Sequence, residues 1–221
     1  MVKLAHLPLL HDPGEEFIYG MNTDILGYLI EVLTGMNLKD YFQQYIFGPL
    51  GMKDTYFNIP DSKNDRLAVV YQNESENILV RSKIERYDYP VADNKYFSGG
   101  AGLCSTIYDY AIFMQMLLND GWYNNRQFLS RKTIDMMTTN QIGDLRGKES
   151  FGLGFALTTM KNFPTKPGSI GNFFWGGYFS TSYWIDPKEQ IIALFYTQMS
   201  PFKHGDIHDK FQVLVYQAVT D

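Results

Sequence analysis

The hydrophobic pattern of this chain changes near Gly147, and that change limits the folds it can adopt. Before Gly147, apolar residues recur at helical spacing between clusters of turn residues. After it, short runs are rich in aromatic and β-branched residues, which is typical of strands. The turn sequence Asp186-Pro187-Lys188-Glu189 separates the last two runs and predicts an antiparallel hairpin. Helices kept apart from an antiparallel sheet predict an α+β architecture.

Capping and turn residues predict two helices near the start. The first is expected after Asn22 or Thr23, with Gly35 at its left-handed end. Its apolar side is formed by Ile25, Leu26, Leu29, Ile30 and Leu33. The second is expected to begin near Asn37 or Leu38 and to end before Gly48, because glycine and proline follow there.

Two more caps predict helices further along. Ser105 is predicted to cap a helix that Asn119-Asp120-Gly121 closes, and Ser130 is predicted to cap a shorter one. A final helix is expected over residues 206–219. The predicted strands span 151–157, 171–175, 181–185 and 190–196, with a small hairpin around 68–71 and 78–80.

Composition excludes several classes of protein. The 221 residues, 45% of them hydrophobic, suffice for a folded core. With 19 basic and 24 acidic residues and no basic run, nucleic acid is not expected as a partner. No stretch approaches the ~20 apolar residues of a membrane span, and the first ten residues predict no signal peptide, so the compartment stays open. The single cysteine, Cys104, allows no intrachain disulfide and is expected to be buried and inert.

Four stretches carry recognisable motifs in a fixed order. They are Phe17-Ile18-Tyr19, residues 48–55 (GPLGMKDT), residues 98–110 (SGGAGLCSTIYDY) and Trp175-Gly176-Gly177. Together they resemble the penicillin-recognising serine hydrolases, especially the branch of class C β-lactamase-like esterases. The resemblance covers nearly the whole chain. It implies one partial β-lactamase/transpeptidase-like domain over residues 1–221, with a helical lobe to about residue 149 and a sheet lobe with the final helix over about 150–221.

The nucleophile of that family is not among these motifs. The family attacks with a serine in Ser-x-x-Lys placed well before the tyrosine motif, and only eighteen residues precede Tyr19. The resemblance therefore implies that the N-terminal part of the fold is missing. We expect the shortened chain to leave backbone groups and a sheet face uncovered, and so to self-associate or to pair with a missing N-terminal segment.

By resemblance, Tyr19 is a catalytic proton carrier. The family motif is Tyr-x-Asn or Tyr-Ser-x, and Tyr19-Gly20-Met21 departs from it at both later positions. A phenol acts at neutral pH only when nearby cations favour phenolate, and the absent motif lysine supplies that charge in the family. The alternative for Tyr19 is a core tyrosine.

By the same resemblance, Trp175-Gly176-Gly177 is the substrate-binding strand and the N–H of Tyr178 is one oxyanion donor. Trp175 stands where lactamases carry lysine, which removes a cation for a penicillin carboxylate and favours esters over β-lactams. The alternative is a glycine bulge in a strand.

Two other patterns are interpreted as incidental. Ser200-Pro201-Phe202-Lys203 is formally Ser-x-x-Lys, but it follows the last strand and is interpreted as a surface turn. His204 and His208 have metal-pair spacing without a third ligand, so both are interpreted as solvated.

The predicted function is acyl transfer from a small ester or β-lactam-like substrate through an acyl-enzyme, with no cofactor and no metal. These residues alone are expected to be inactive. The alternative from another class is a non-catalytic module that binds a peptidoglycan-like peptide or a protein partner.

Overall fold

The computed structural model describes residues 4–75, 78–84, 90–91, 93–163, 167–201 and 205–220. The chain divides into two compact units, Met1–Asp65 with Glu85–Asp109 and Arg66–Ile84 with Tyr110–Asp221. The α-helices are α1 (Asn22–Thr34), α2 (Leu38–Phe42), α3 (Gly48–Leu50), α4 (Ile107–Leu118), α5 (Arg131–Met137) and α6 (Ile207–Gln217). The strands are β1 (Tyr71–Ser75), β2 (Ile78–Arg81), β3 (Trp122–Tyr123), β4 (Arg126–Gln127), β5 (Ser150–Phe151), β6 (Ala156–Leu157), β7 (Phe173–Gly176), β8 (Ser182–Asp186) and β9 (Ile191–Phe195).

These elements confirm the α+β architecture. Strands β5 to β9 form one antiparallel sheet in sequential order, and β8 and β9 make the predicted hairpin. Strands β1 and β2 also pair antiparallel, although β1 begins at Tyr71, later than expected. Among the described residues, none of the helices has the length and apolar character needed to cross a membrane.

The second predicted helix continues further than expected. Asn37 caps α2 by accepting from the N–H of Asp40 at 2.8 Å. A π-helical turn over Gln43–Phe47 then leads into α3, so the prediction of an end before Gly48 is wrong. Pro49 lies in the first turn of α3 and has no N–H to donate to the preceding π-helical turn. Gly51, with φ of 77°, ends the helix.

A buried carboxylate organises the first unit. Asp109, 3% exposed, lies in the first turn of α4 and accepts from the N–H of Asp54 at 2.6 Å and from Thr55 Oγ1 at 2.9 Å. The expected cap Ser105 instead contacts Thr55 Oγ1 at 2.8 Å, and Thr106 Oγ1 accepts the N–H of Asp109. The helix start is therefore tied to residues 54–55 through hydrogen bonds of the Asp109 and Ser105 side chains.

The core of the sheet unit lies around the centre of the β-meander. The apolar residues buried there include Phe155, Leu157, Phe173, Trp184, Ile185 and Ala193. The run 151–157, predicted as one strand, instead forms the short hairpin β5–β6. Gly152 lies in it, and a Cβ there would be 2.0 Å from the Met137 carbonyl oxygen. This approach of a distant backbone explains why the strand is interrupted.

A second buried carboxylate, Asp186, joins the final helix to the sheet. It accepts from the N–H of Ser169 at 3.0 Å and from the hydroxyl of Tyr216 in α6 at 2.7 Å. It also accepts from the N–H groups of Lys188 and Glu189 in the hairpin turn. Burial, and then the Asp186 carboxylate, raise the pKa of the Tyr216 phenol above its usual value, so the phenol keeps the proton that it donates.

Candidate active site

Strand β7 brings Trp175 and Gly176 to the end of the sheet unit. Trp175 pairs with Tyr183 and Gly176 with Ser182 of β8. The half-buried indole of Trp175 packs edge-on against Phe151, with ring centroids 5.0 Å apart. The strand ends at Gly176, and both following residues are exposed, so this end of the strand faces solvent.

Both glycines are required by the close approach of Thr181. A Cβ on Gly176 would lie 2.6 Å from the Thr181 carbonyl oxygen, and a Cβ on Gly177 would lie 2.5 Å from Thr181 Oγ1. Real Cβ atoms essentially never come within 3.0 Å of such atoms. A Cβ on Gly176 would push two backbone segments apart, whereas one on Gly177 would displace the Thr181 side chain, so each glycine has a local steric reason.

The turn after β7 fixes the direction of the Tyr178 N–H. Gly177 donates to the Thr181 carbonyl, and Ser180 donates to the Gly177 carbonyl, both at 3.0 Å. In a trans peptide the C=O and the next N–H point in opposite directions, and the described residues contain no cis bond at this turn. Because the Gly177 carbonyl points into the turn, the N–H of Tyr178 points out of it.

Ser180 closes this turn in a conformation that serine seldom adopts. Its φ is 63°, in the left-handed region where three-residue hairpin loops usually place glycine. Its carbonyl accepts from Thr197 Oγ1 at 2.8 Å and contacts Nε2 of His208 in α6 at 3.0 Å. Its own hydroxyl donates to the Met199 carbonyl at 3.3 Å. The turn is thus held by side chains from β9's continuation and from α6.

Tyr19 belongs to the first unit and lies directly before α1. Its side chain is 67% exposed, so Tyr19 is not the core tyrosine of the alternative interpretation. Met21, with φ of −81°, precedes the helix without a side-chain cap, so neither Asn22 nor Thr23 caps α1 as expected. Gly35 ends α1 with φ of 69°, as predicted.

The start of α1 is anchored to the loop around Ser98. Asp24 accepts from Tyr96 Oη at 2.7 Å and from Ser98 Oγ at 2.5 Å. Partial burial opposes ionisation of Asp24, but these hydrogen bonds outweigh it and lower the pKa of the carboxyl. A Cβ on Gly99 would lie 2.3 Å from the Thr23 carbonyl oxygen, so this loop passes directly over the first turn. The segment that carries Tyr19 is therefore joined to a fixed helix end.

Helix α1 turns its charges inward and its apolar residues outward. Asp24 faces the Ser98 loop, and Glu31 Oε1 accepts from the N–H of Leu38 at 2.9 Å. Only Gly27 of the helix is buried. The large apolar side chains exposed on α1 are Ile25, Leu26, Tyr28, Leu29, Val32 and Leu33, of which Leu33 is 75% exposed. This is the reverse of a helix that covers a core, although the sequence predicted the helix itself correctly.

The incidental patterns have structural roles or lie outside the described residues. Ser200 was interpreted as part of a surface turn, but it is buried, and its N–H donates to the Tyr71 carbonyl at 3.0 Å. Lys203 lies outside the described residues. His204 also lies outside them. Within the described part of the chain, no group of three or more metal-ligating side chains occurs. His208 was interpreted as solvated, but it is half-buried against Ser180 and Phe195.

A family model described as Beta-lactamase matches residues 1–217, and the chain belongs to that family. Protein Rv1367c of Mycobacterium tuberculosis is 30% identical over 219 residues, covering 91% of this chain and 53% of the relative. An Escherichia coli O157:H7 protein named "Putative D-alanyl-D-alanine carboxypeptidase" is 32% identical, covering 93% of this chain and 50% of its own. The chain thus spans about half the length of these relatives.

A solved structure has the same fold. Simvastatin synthase (LovD) from Aspergillus terreus superposes with a TM-score of 0.82 at 24% identity, covering 97% of this chain and 59% of LovD. The α+β architecture of the β-lactamase/transpeptidase type is therefore that of this chain. The family model over residues 1–217 and this fold agree with each other.

Proposed function

We propose that this chain forms part of an acyl-enzyme site that hydrolyses a small ester or amide. In this site Tyr19 moves protons, the N–H of Tyr178 stabilises the oxyanion, and Trp175, Gly176 and Gly177 bind the substrate. The serine nucleophile and its lysine come from a polypeptide segment other than these 221 residues, which alone are inactive.

The observation that carries the proposal is the direction of the Tyr178 N–H. A hydrogen-bond donor stabilises an oxyanion best when it is oriented before the reaction, because no reorganisation is then needed. The Ser180-to-Gly177 hydrogen bond supplies that orientation. The adjoining glycines carry no side chains, so an acyl group can lie against the backbone there.

The substrate class follows from Trp175, an uncharged side chain beside this turn. Trp175 offers an apolar face and an N–H rather than a cation, so it does not attract the carboxylate of a penicillin. Neutral short-chain esters are accordingly the preferred substrates. The E. coli relative is named "Putative D-alanyl-D-alanine carboxypeptidase", so D-alanyl-D-alanine peptides are the second class of substrate to assay.

The outward face of α1 supports the proposal that a further segment pairs with this chain. Ile25, Leu29 and Val32 lie at spacings that share one helix face, and that face carries no charge. Relatives about twice as long supply a polypeptide large enough to cover it. We propose that the segment bearing the nucleophile packs on this face, a few residues from Tyr19 along the chain.

The activity test uses p-nitrophenyl butyrate with two proteins. One is the 221-residue chain. The other, called the joined protein, also contains the residues encoded by the in-frame codons that precede Met1 in its gene. We expect hydrolysis only in the joined protein, and Tyr19→Phe lowers kcat there by about 10²-fold to 10⁴-fold, the usual contribution of a proton carrier.

A proline substitution tests the oxyanion donor specifically. Tyr178 is the second residue of the turn, where proline fits and removes the N–H together with the phenol side chain. Tyr178→Pro is expected to lower kcat by about 10²-fold to 10³-fold. The control Tyr178→Ala keeps the N–H and is expected to retain most activity. Equal losses in both variants contradict the proposed donor. A stop codon directly before Met1, with peptide binding but no hydrolysis, favours the non-catalytic module instead.

The pairing test compares the same substitutions in the same two proteins. Leu29→Lys with Val32→Lys places charges on the outward face of α1. We expect the melting temperature of the isolated chain to stay the same and that of the joined protein to fall, because only there is the face covered. A dimer of the isolated chain that these substitutions dissociate, seen by light scattering, indicates self-association instead and overturns the pairing.

A further inference from the structure

The turn that carries Tyr178 is held from outside by a histidine of the final helix. His208 lies in the first turn of α6, and its Nε2 is 3.0 Å from the Ser180 carbonyl oxygen. A carbonyl oxygen has no proton to give, so Nε2 carries the proton in this contact. The imidazole also packs edge-on against Phe195 of β9, with ring centroids 5.5 Å apart. This packing fixes the ring in place beside the turn.

The Ser180 carbonyl is the point at which the turn is most strongly held. It receives two donors, His208 Nε2 and Thr197 Oγ1, and Thr197 Oγ1 also reaches the Phe179 carbonyl at 3.1 Å. The N–H of Met199 donates to the same Phe179 carbonyl at 3.1 Å. Two consecutive peptide groups of the turn are therefore fixed by side chains and backbone beyond the hairpin.

External support is needed because Ser180 adopts the left-handed conformation. Glycine adopts φ near 63° without a steric penalty, whereas a residue with a Cβ stays there only when its surroundings require it. If Ser180 relaxes, its N–H leaves the Gly177 carbonyl, and the peptide group between Gly177 and Tyr178 is free to rotate. The direction of the Tyr178 N–H thus depends on the bonds that the Ser180 carbonyl makes.

We infer that His208 is a positioning residue of the active site. Its Nε2–H, together with Thr197, holds the Ser180 carbonyl and so keeps the Tyr178 N–H directed out of the turn. This inference rests on the proposed function in assigning a catalytic use to that N–H. The geometric part, that His208 controls the turn, is independent of any activity.

The first experiment measures the turn in the 221-residue chain itself. Protein labelled with ¹⁵N-tyrosine gives one amide cross-peak per tyrosine, and the peak missing in Tyr178→Phe identifies residue 178. His208→Phe keeps a ring against Phe195 but removes the donor, and it is expected to displace this cross-peak. His208→Gln places an amide N–H at a similar reach and is expected to restore it. Lys210→Gln, on the same helix in an exposed ion pair, is the control and leaves the peak in place.

The second experiment measures kcat and KM in the joined protein. His208→Phe is expected to lower kcat by about 10-fold to 100-fold, as misplacement of a catalytic group does, with KM changed less than about 3-fold. His208→Gln is expected to recover most of that loss. A purely structural role for His208 predicts lower stability without this separation of kcat from KM and without rescue by glutamine.

The outcomes separate the two proposals. A joined wild-type protein without esterase activity overturns the proposed function, while the cross-peak experiment still decides whether His208 holds the turn. A folded His208→Phe chain with an unmoved Tyr178 cross-peak overturns the inference. If His208→Phe does not fold, Thr197→Val is tested instead, because it removes the other donor to the Ser180 carbonyl. Thr197→Val is expected to displace the Tyr178 cross-peak. An unmoved cross-peak in Thr197→Val also overturns the inference.

Discussion

Two neighbouring glycines of the candidate site differ in what restrains them, and this difference gives a quantitative prediction. A Cβ on Gly176 meets a backbone atom, the Thr181 carbonyl oxygen, at 2.6 Å. That oxygen accepts from Gly177 and has little freedom to move. A Cβ on Gly177 meets a side-chain atom, Thr181 Oγ1, at 2.5 Å. Only the second clash disappears when Thr181 is shortened to alanine.

The expected free energies follow from these contacts. Overpacking a well-packed position costs about 1–3 kcal/mol. Gly176→Ala is expected near the top of that range because two backbone segments must separate. Gly177→Ala is expected to cost ~1 kcal/mol, since the threonine side chain can rotate. In the Thr181→Ala background, the cost of Gly177→Ala falls to about 0.5 kcal/mol or less, whereas that of Gly176→Ala is unchanged.

The assay is urea unfolding followed by tryptophan fluorescence. All three tryptophans, Trp122, Trp175 and Trp184, lie in the unit that contains these glycines, so the signal reports the relevant part of the chain. A double-mutant cycle with Thr181→Ala isolates each coupling. Equal coupling of Thr181 to both glycines, or no coupling to Gly177, refutes the steric reasoning.

Three further predictions concern the buried groups and the exposed helix cap. Asp109→Ala leaves the N–H of Asp54 and the hydroxyl of Thr55 without their acceptor. It is expected to destabilise the first unit by about 3–5 kcal/mol, measured by hydrogen exchange. The control Asp135→Ala, at an exposed ion pair, changes stability by less than about 0.5 kcal/mol. Burial raises the pKa of Cys104 to about 11, so at pH 8 this thiol is expected to react with a disulfide reagent about 100-fold more slowly than in urea. The pKa of this thiol is higher in the folded chain than in the unfolded chain. Its contribution to the free energy of unfolding is therefore full below pH 9 and is lost as pH rises towards 11. Asn37→Ala removes the acceptor for the Asp40 N–H and is expected to cost ~1 kcal/mol in urea unfolding followed by far-UV circular dichroism. The control Asn37→Ser retains an acceptor and adds no charge beside the Asp40 carboxylate.

Local chemistry was predicted from the sequence where neighbours along the chain decide it. Gly35 and Ser130 end and begin helices as expected, because a left-handed C-cap and a serine N-cap need only adjacent residues. The hairpin turn at Asp186 was predicted for the same reason. Ser105 failed as a cap because Thr55, fifty residues away, takes its hydroxyl and Thr106 is left to cap α4.

In the candidate site, too, contacts between residues close in sequence were predictable and contacts between distant residues were not. Family motifs located Tyr19 and Trp175-Gly176-Gly177, and turn chemistry explains why those glycines are needed. His208 was missed because its contact with the Ser180 carbonyl spans twenty-eight residues and no periodicity records it. Its spacing from His204 suggested only a metal pair and gave no sign of this contact. Periodicity predicted α1 but not which side of it is covered, since an apolar stripe is the same whether it meets this chain or another.

The Asp186 carboxylate gives the last helix a disproportionate influence. Helix α6 has no buried residue of its own, yet Tyr216 supplies one of the donors that keep this carboxylate satisfied inside the sheet. A reading frame interrupted before Tyr216 would remove that donor while leaving the acid in place. The defect would then affect the hairpin turn that Asp186 holds, thirty residues before the missing tyrosine.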